Sequence, residues 1–107
     1  MKNSNSPETC NKLANFFQAL SDPIRLDIVA CLLEVKERRI KTDCYAISKS
    51  TLSHHIKILK DVGLIKVKKE GVTHIYYLDR EEINQQYPGI LDLLTLKLVT
   101  QENQPYV

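Results

Sequence analysis

Between Ser48 and Tyr77 the apolar residues change period, and few small architectures contain such a change. Leu52, Ile56 and Leu59, with Val62 close to the same stripe, recur at helical spacing. Ser50, Ser53, His54, Lys57 and Asp61 fall on the other sides. Ser48 stands before them as an N-cap, and Gly63 follows as the left-handed residue that ends a helix, with Leu64 placed for the apolar contact beyond it. From Ile65 the period is two. Ile65 and Val67 alternate with Lys66 and Lys68, Glu70-Gly71 follows, and His74 and Tyr76 alternate with Ile75 and Tyr77. A capped helix leading into a β-hairpin with glycine near its tip is predicted.

The flanking segments are helical. Leu13, Phe16, Phe17 and Leu20 lie at i, i+3, i+4 and i+7, which predicts a helix from about Glu8 to Leu20. In Ser21-Asp22-Pro23, Asp22 is a cap and Pro23 a first helical residue, where a missing N–H costs nothing. A second helix starts there, with Ile24, Ile28, Cys31, Leu32 and Val35 on its buried stripe, and the polar run from Lys36 to Arg39 ends it. Tyr45-Ala46-Ile47 suggests one or two helical turns. Asp79 to Glu82 opens a further helix, interrupted at Tyr87-Pro88-Gly89, and a longer helical piece runs from Pro88 to about Thr100. There Ile90, Leu91, Leu93, Leu94, Leu96, Leu98 and Val99 occupy more than one face, so this helix needs a second surface.

Helix, helix, short helix, capped helix, hairpin, helix is the order of a winged helix-turn-helix: mainly α with a β-hairpin wing, α-α-α-α-β-β-α. Residues 10–100 are expected to form the domain, 1–9 a flexible N-terminal arm and 101–107 a tail. A chain of 107 residues buries little core alone, so a homodimer is expected through Leu13, Phe16, Phe17 and Leu20 of the first helix and Ile90, Leu91, Leu94 and Leu98 of the last.

The net charge of +2 conceals an uneven distribution. Lys36 to Lys69 contains ten basic and three acidic residues, whereas the remainder carries five basic and ten acidic ones. A basic block between acidic flanks suits a surface that meets a polyanion, and a solvated lysine face gives the same arithmetic. The wing offers Lys66, Lys68, Lys69, Thr73 and His74 around Gly71. Its lysines either contact phosphate or protect a strand edge from pairing.

Other classes fare worse. No Gly-rich phosphate loop, Cys/His or Ser/His/Asp arrangement with a glycine turn, or compact carboxylate pair is present, so no enzyme is expected. No cofactor is expected either. The polar Met1–Cys10 segment and the lack of a long uncharged apolar run predict a cytoplasmic protein without a membrane partner. Cys10, Cys31 and Cys44 form no CxxC or CxC pair. Cys31, on the apolar face of the second helix, reads as a buried thiol, and Cys44 as a core residue. Adjacent His54 and His55 point about 100° apart on a helix and cannot easily chelate one ion, so no metal site is expected.

Leu20-Ser21-Asp22-Pro23-Ile24-Arg25-Leu26, Ser48-Lys49-Ser50-Thr51-Leu52-Ser53-His54-His55-Ile56-Lys57, Leu59-Lys60, Gly63-Leu64-Ile65 and Lys69-Glu70-Gly71 together resemble the ArsR/SmtB family of bacterial transcriptional repressors, over roughly residues 13 to 94. The resemblance implies a homodimeric winged-helix protein that binds double-stranded DNA at an inverted-repeat operator, occludes a promoter and is released by an effector, here unidentified. It also implies groove contact by Ser50, Thr51, Ser53 and His54, with Lys49, His55 and Lys57 nearer the DNA backbone; His55 has core-edge packing as its alternative. Lys68, Lys69 and Thr73 complete the expected DNA surface. Arg25 reads equally as a salt-bridge partner of Asp22 or Glu34 and as a DNA contact.

The family's metal-responsive members commonly carry a CxC-type motif before the recognition helix or Asp/His pairs on the last helix. This chain has Thr42-Asp43-Cys44-Tyr45 at the first place and no His at the second. A thiol-based redox or metal response through Cys10 and Cys44 across the dimer is one alternative reading. A winged-helix module that binds protein is the other, and the basic, hydroxyl-rich helix face speaks against it.

Overall fold

Each helix starts or stops where a specific backbone group finds a partner. In the computed structural model, which describes residues 7–40 and 45–99, α1 spans Pro7–Ala19. Asp22 then caps α2 (Pro23–Glu34): its Oδ1 accepts the N–H groups of Ile24 at 2.8 Å and Arg25 at 3.1 Å. Partial burial raises the Asp22 carboxyl, but those two N–H donors, with the positive charge of Arg25 nearby, outweigh it and hold the group below the ordinary carboxylate value. The next helix, α3 (Lys49–Asp61), ends as the glycine suggests. Gly63, at φ +81°, lets its own N–H reach Lys60 O and the Leu64 N–H reach Leu59 O, each at 3.0 Å. Leu64 is then driven into the core, and Ile65 with it.

The hairpin consists of β1 (Lys66–Glu70) and β2 (Thr73–Tyr77), paired antiparallel from Lys66↔Tyr77 to Glu70↔Thr73 around Gly71-Val72. Arg38 adds a one-residue bridge to the outer edge of β2, exchanging backbone bonds of 2.9 and 2.8 Å with Tyr76. The chain closes with α4 (Arg80–Gln86), α5 (Ile90–Leu94) and a π-helical turn, Thr95–Val99. Arg80 donates to the carbonyls of Leu32 and Leu33, holding α4 against the C-terminal end of α2. Phe16 and Tyr87 stack at 3.8 Å, fixing the α4–α5 corner on α1.

The core is centred on Phe16, Ile28, Val29, Leu32, Leu59, Leu64, Ile65 and Ile83. Several expectations change. The first helix begins at Pro7, so residues 7–9 belong to it, while 1–6 and the tail at 101–107 lie outside the described residues. Tyr45 and Ala46 form a turn with Ala46 at φ +42°, and 41–44, where the rest of the short helix was expected, also lie outside. Val29 is buried as well, because α2 packs against neighbours on more than one side, and Val35, the C-cap beyond the helix, is exposed. Cys31 is half-buried, lining a cavity of about 190 Å³ with Asp27, Arg38 and Tyr45.

The largest change concerns the expected subunit surface. Phe16, Leu20, Leu91 and Leu94 retain at most 9% exposure and serve the chain's own core, while Ile90 and Leu98 are half-buried against it. Leu13 and Phe17 are exposed at 42% and 53%, beside Leu93 at 51% and Leu96 at 63%. Helical spacing located the apolar stripes; it did not say which edge of each stripe the chain covers by itself.

Candidate nucleic-acid interface

The exposed side of α3 begins with a cluster of hydroxyls. Ser48 Oγ accepts the Thr51 N–H at 3.1 Å and lies 2.9 Å from Thr51 Oγ1 and 3.1 Å from Ser50 Oγ. This cap leaves the other N-terminal N–H groups of the helix without an intrahelical acceptor, so the end favours negative charge. Lys49, Ser50, Thr51, Ser53, His54 and Lys57 are all exposed. Leu52, Ile56 and Leu59 on the opposite side seal the helix to the core. The same helix therefore carries donors and acceptors outward on a rigid base, which is what reading base edges requires.

His55 takes a different place from its neighbour. It is 8% exposed, among the apolar residues, and its Nδ1 faces Arg25 Nη1 at 3.0 Å. Of the two positions open to it from sequence, core packing is the one observed; the expected backbone contact would need the ring to leave the core. The rings of His54 and His55 stand 6.3 Å apart, one outside and one inside. Among the described residues, no three His, Cys, Asp or Glu side chains converge as a metal ion requires. Cys10 is exposed, and Cys44 lies outside the described residues.

Arg25 makes neither expected salt bridge. Its Nε donates to Ala19 O at 2.7 Å and its Nη2 to Gln18 O at 3.2 Å, in addition to the His55 contact. Asp22 is occupied with the backbone of α2. The turn before α3 is held by Tyr45, whose hydroxyl donates to Asp27 Oδ2 at 2.7 Å.

In the hairpin, opposite pairs share a face, so Lys66, Lys68 and Thr73 point to one side and Lys69 and His74 to the other. Lys68 Nζ sits 2.8 Å from Glu37 and 3.9 Å from Glu70, and Lys66 Nζ lies 3.1 Å from Glu82 and 3.7 Å from Asp79. The hydrogen bond to Glu37 holds the Lys68 ammonium above the ordinary lysine value, and that to Glu82 does the same for Lys66. Lys69 and His74 are exposed, Thr73 is half-buried, and Lys57 pairs with Asp61 at 3.0 Å on the helix surface. Sequence reading missed these carboxylate partners, since Glu37, Asp79 and Glu82 reach the wing only through the fold.

A family model for a helix-turn-helix domain matches residues 20–68, from the end of α1 into β1. The arsenical resistance operon repressor of Bacillus subtilis is 34% identical over 79 residues, 72% of this chain and 75% of the repressor. The chain belongs to the ArsR/SmtB family. Among its relatives, the uncharacterised HTH-type transcriptional regulator MJ1325 of Methanocaldococcus jannaschii is 34% identical over 80 residues, 73% of this chain and 90% of that protein. The fold of this ArsR/SmtB protein is also that of Mb0332 from Mycobacterium bovis, a homodimeric winged helix-turn-helix DNA-binding domain and possible ArsR-family transcriptional regulator. The two agree with a TM-score of 0.66 at 20% identity, over 99% of this chain and 100% of the other. In family terms α3 is the recognition helix and β1–β2 the wing, and the protein is a DNA-binding transcriptional regulator.

Proposed function

We propose that this protein is a dimeric repressor which binds an inverted-repeat operator in double-stranded DNA, occludes a promoter in the cytoplasm, and is released on binding an effector. The outward face of α3 is the observation that carries this reading: Lys49, Ser50, Thr51, Ser53, His54 and Lys57 are exposed on a helix whose inner side is locked to the core. Ser50, Thr51, Ser53 and His54 reach base edges, while Lys49 and Lys57 meet phosphate. Lys69 and Thr73 extend the contact along the wing, and Lys68 joins them to the extent that it leaves Glu37. His55 is left out of the contact set because it is buried.

The dimer surface is the exposed apolar edge of α1 and α5, Leu13, Phe17 and Leu93, continued by Leu96 and flanked by Ile90. A twofold arrangement presents two identical recognition helices, which asks for half-sites about one helical turn apart. Selection from a random duplex pool tests the whole reading. Enrichment of inverted repeats supports it, and binding that never departs from that to random duplex refutes it.

A further inference from the structure

One guanidinium in this molecule ties three helices together. Arg25 rises from the first turn of α2, and its Nε and Nη2 donate to Ala19 O and Gln18 O, carbonyls at the C-terminal end of α1. Both lie past the end of the helical ladder; Gln18 O also accepts from the N–H and hydroxyl of Ser21, at 3.1 and 2.7 Å. The third contact, Nη1 to His55 Nδ1 at 3.0 Å, enters the buried side of α3. A guanidinium has donors only, so the contact is a hydrogen bond in the tautomer that carries its proton on Nε2 and leaves Nδ1 to accept. The contact set thus spans α1, whose exposed edge carries Leu13 and Phe17, and α3, whose exposed side carries the hydroxyls and His54.

We propose that Arg25 and His55 are positioning residues for operator recognition, fixing the rotation of α3 about its own axis relative to α1. This rests on the operator reading above and deepens it. His55 and His54 are neighbours on one helix, so any turn of the helix that His55 permits is delivered to His54, Ser53 and Ser50 without loss. At a side-chain radius of about 5–6 Å, a rotation of about 20° moves these groups by about 2 Å, enough to break a base-edge hydrogen bond. Apolar contacts at Leu52, Ile56 and Leu59 resist separation of the helix from the core but are non-directional. A hydrogen bond to a buried ring is directional, and it supplies the angular restraint that those contacts lack. Because the restraint is anchored on the last turn of α1, the two recognition helices of a dimer are set relative to each other through the same arginine.

The experiment compares binding to a duplex enriched by the wild-type protein from a random pool with binding to a scrambled duplex of equal composition, and reads the ratio of the two affinities. His55→Leu removes the acceptor at similar volume. His55→Asn places an amide oxygen near the position of Nδ1 and restores it. Arg25→Lys keeps the charge but cannot serve two carbonyls and the ring together. The ratio is expected to fall about tenfold or more in His55→Leu and Arg25→Lys, the scale of one hydrogen bond to a charged donor, and to stay within about threefold of wild type in His55→Asn. Affinity for the scrambled duplex should barely change. Should His55→Leu fail to fold, Arg25→Lys against His55→Asn carries the same comparison. A wild-type ratio in Arg25→Lys, or a loss in His55→Asn as deep as in Arg25→Lys, overturns the proposal while leaving operator binding intact. A wild-type protein that enriches no duplex removes the operator reading itself, and the proposal with it.

Discussion

Replacing Glu37 with glutamine removes the carboxylate that holds Lys68 Nζ at 2.8 Å. Both side chains of this pair are half-exposed, at 41% and 46%, so the lysine is available to a phosphate only after it leaves one anion for another. Glu37→Gln therefore does more than raise the net charge: it leaves Lys68 with only the exposed Glu70 carboxylate at 3.9 Å, freeing a wing cation beside the proposed DNA surface. Each phosphate neutralised by a protein cation contributes about −0.9 to the slope of log affinity against log salt on B-DNA. If Lys68 gains one full phosphate contact, the slope steepens by about 0.9, and between 50 and 200 mM salt the variant loses about 3.5-fold more affinity than the wild type. Fluorescence anisotropy on a scrambled duplex across that range measures it, since the effect is independent of sequence. Lys68→Ala separates the local release from a general gain of charge: in that background Glu37→Gln should leave the slope unchanged. Parallel salt lines for wild type and Glu37→Gln, or an equal steepening with and without Lys68, would refute the reasoning.

His54→Ala should weaken binding to an enriched operator duplex by about 1–3 kcal/mol and broaden the selected sequences, as competitive anisotropy would show. Asp22→Ala removes the acceptor of the Ile24 and Arg25 N–H groups and should lower stability by about 1 kcal/mol, seen as a melting midpoint about 4–8 °C lower. Because the folded Asp22 carboxyl lies below its ordinary value of 3.8, its contribution is complete above that pH and is lost as pH falls through the folded value. Wild type and Asp22→Ala should thus converge in stability in acid, by denaturant titration at several pH values. Phe17→Glu should yield a folded monomer by sedimentation with its circular dichroism retained. Leu94→Glu, at a buried core position, should unfold the chain instead.

The recognition helix was legible because its two ends are written in local chemistry. Ser48 and Gly63 each act on backbone groups within a few residues, and Leu64 follows from the geometry of the Gly63 cap. The hairpin was legible for a similar reason, since its two-residue loop and alternation are short-range. What remained hidden depends on contacts between distant residues. Nothing near Arg25 in sequence announces His55, thirty positions away. The polar run from Lys36 to Arg39 read as a helix terminator, yet Arg38 pairs with Tyr76 and Glu37 neutralises Lys68. Phe16 is buried and stacks on Tyr87 while adjacent Phe17 stays exposed, a distinction that no periodicity reports. Ala46, in a left-handed conformation where such turns often use glycine, carried no sequence signal at all.

The bridge between Arg38 and Tyr76 makes the hairpin a lever with a fixed fulcrum. Backbone bonds in both directions clamp β2 at Tyr76, while Val72 at the far end is 99% exposed. Val72 lies four residue steps from Tyr76 along the strand, an arm of about 13 Å. A tilt of about 10° at the fulcrum sweeps the tip through about 2 Å, comparable with the differences in groove width between stiff and flexible DNA steps. Tyr76 and the Lys66 and Lys68 ion pairs hold the base of this arm, so under the operator reading only its outer end toward Val72 would adjust to the shape of a duplex while α3 keeps its register.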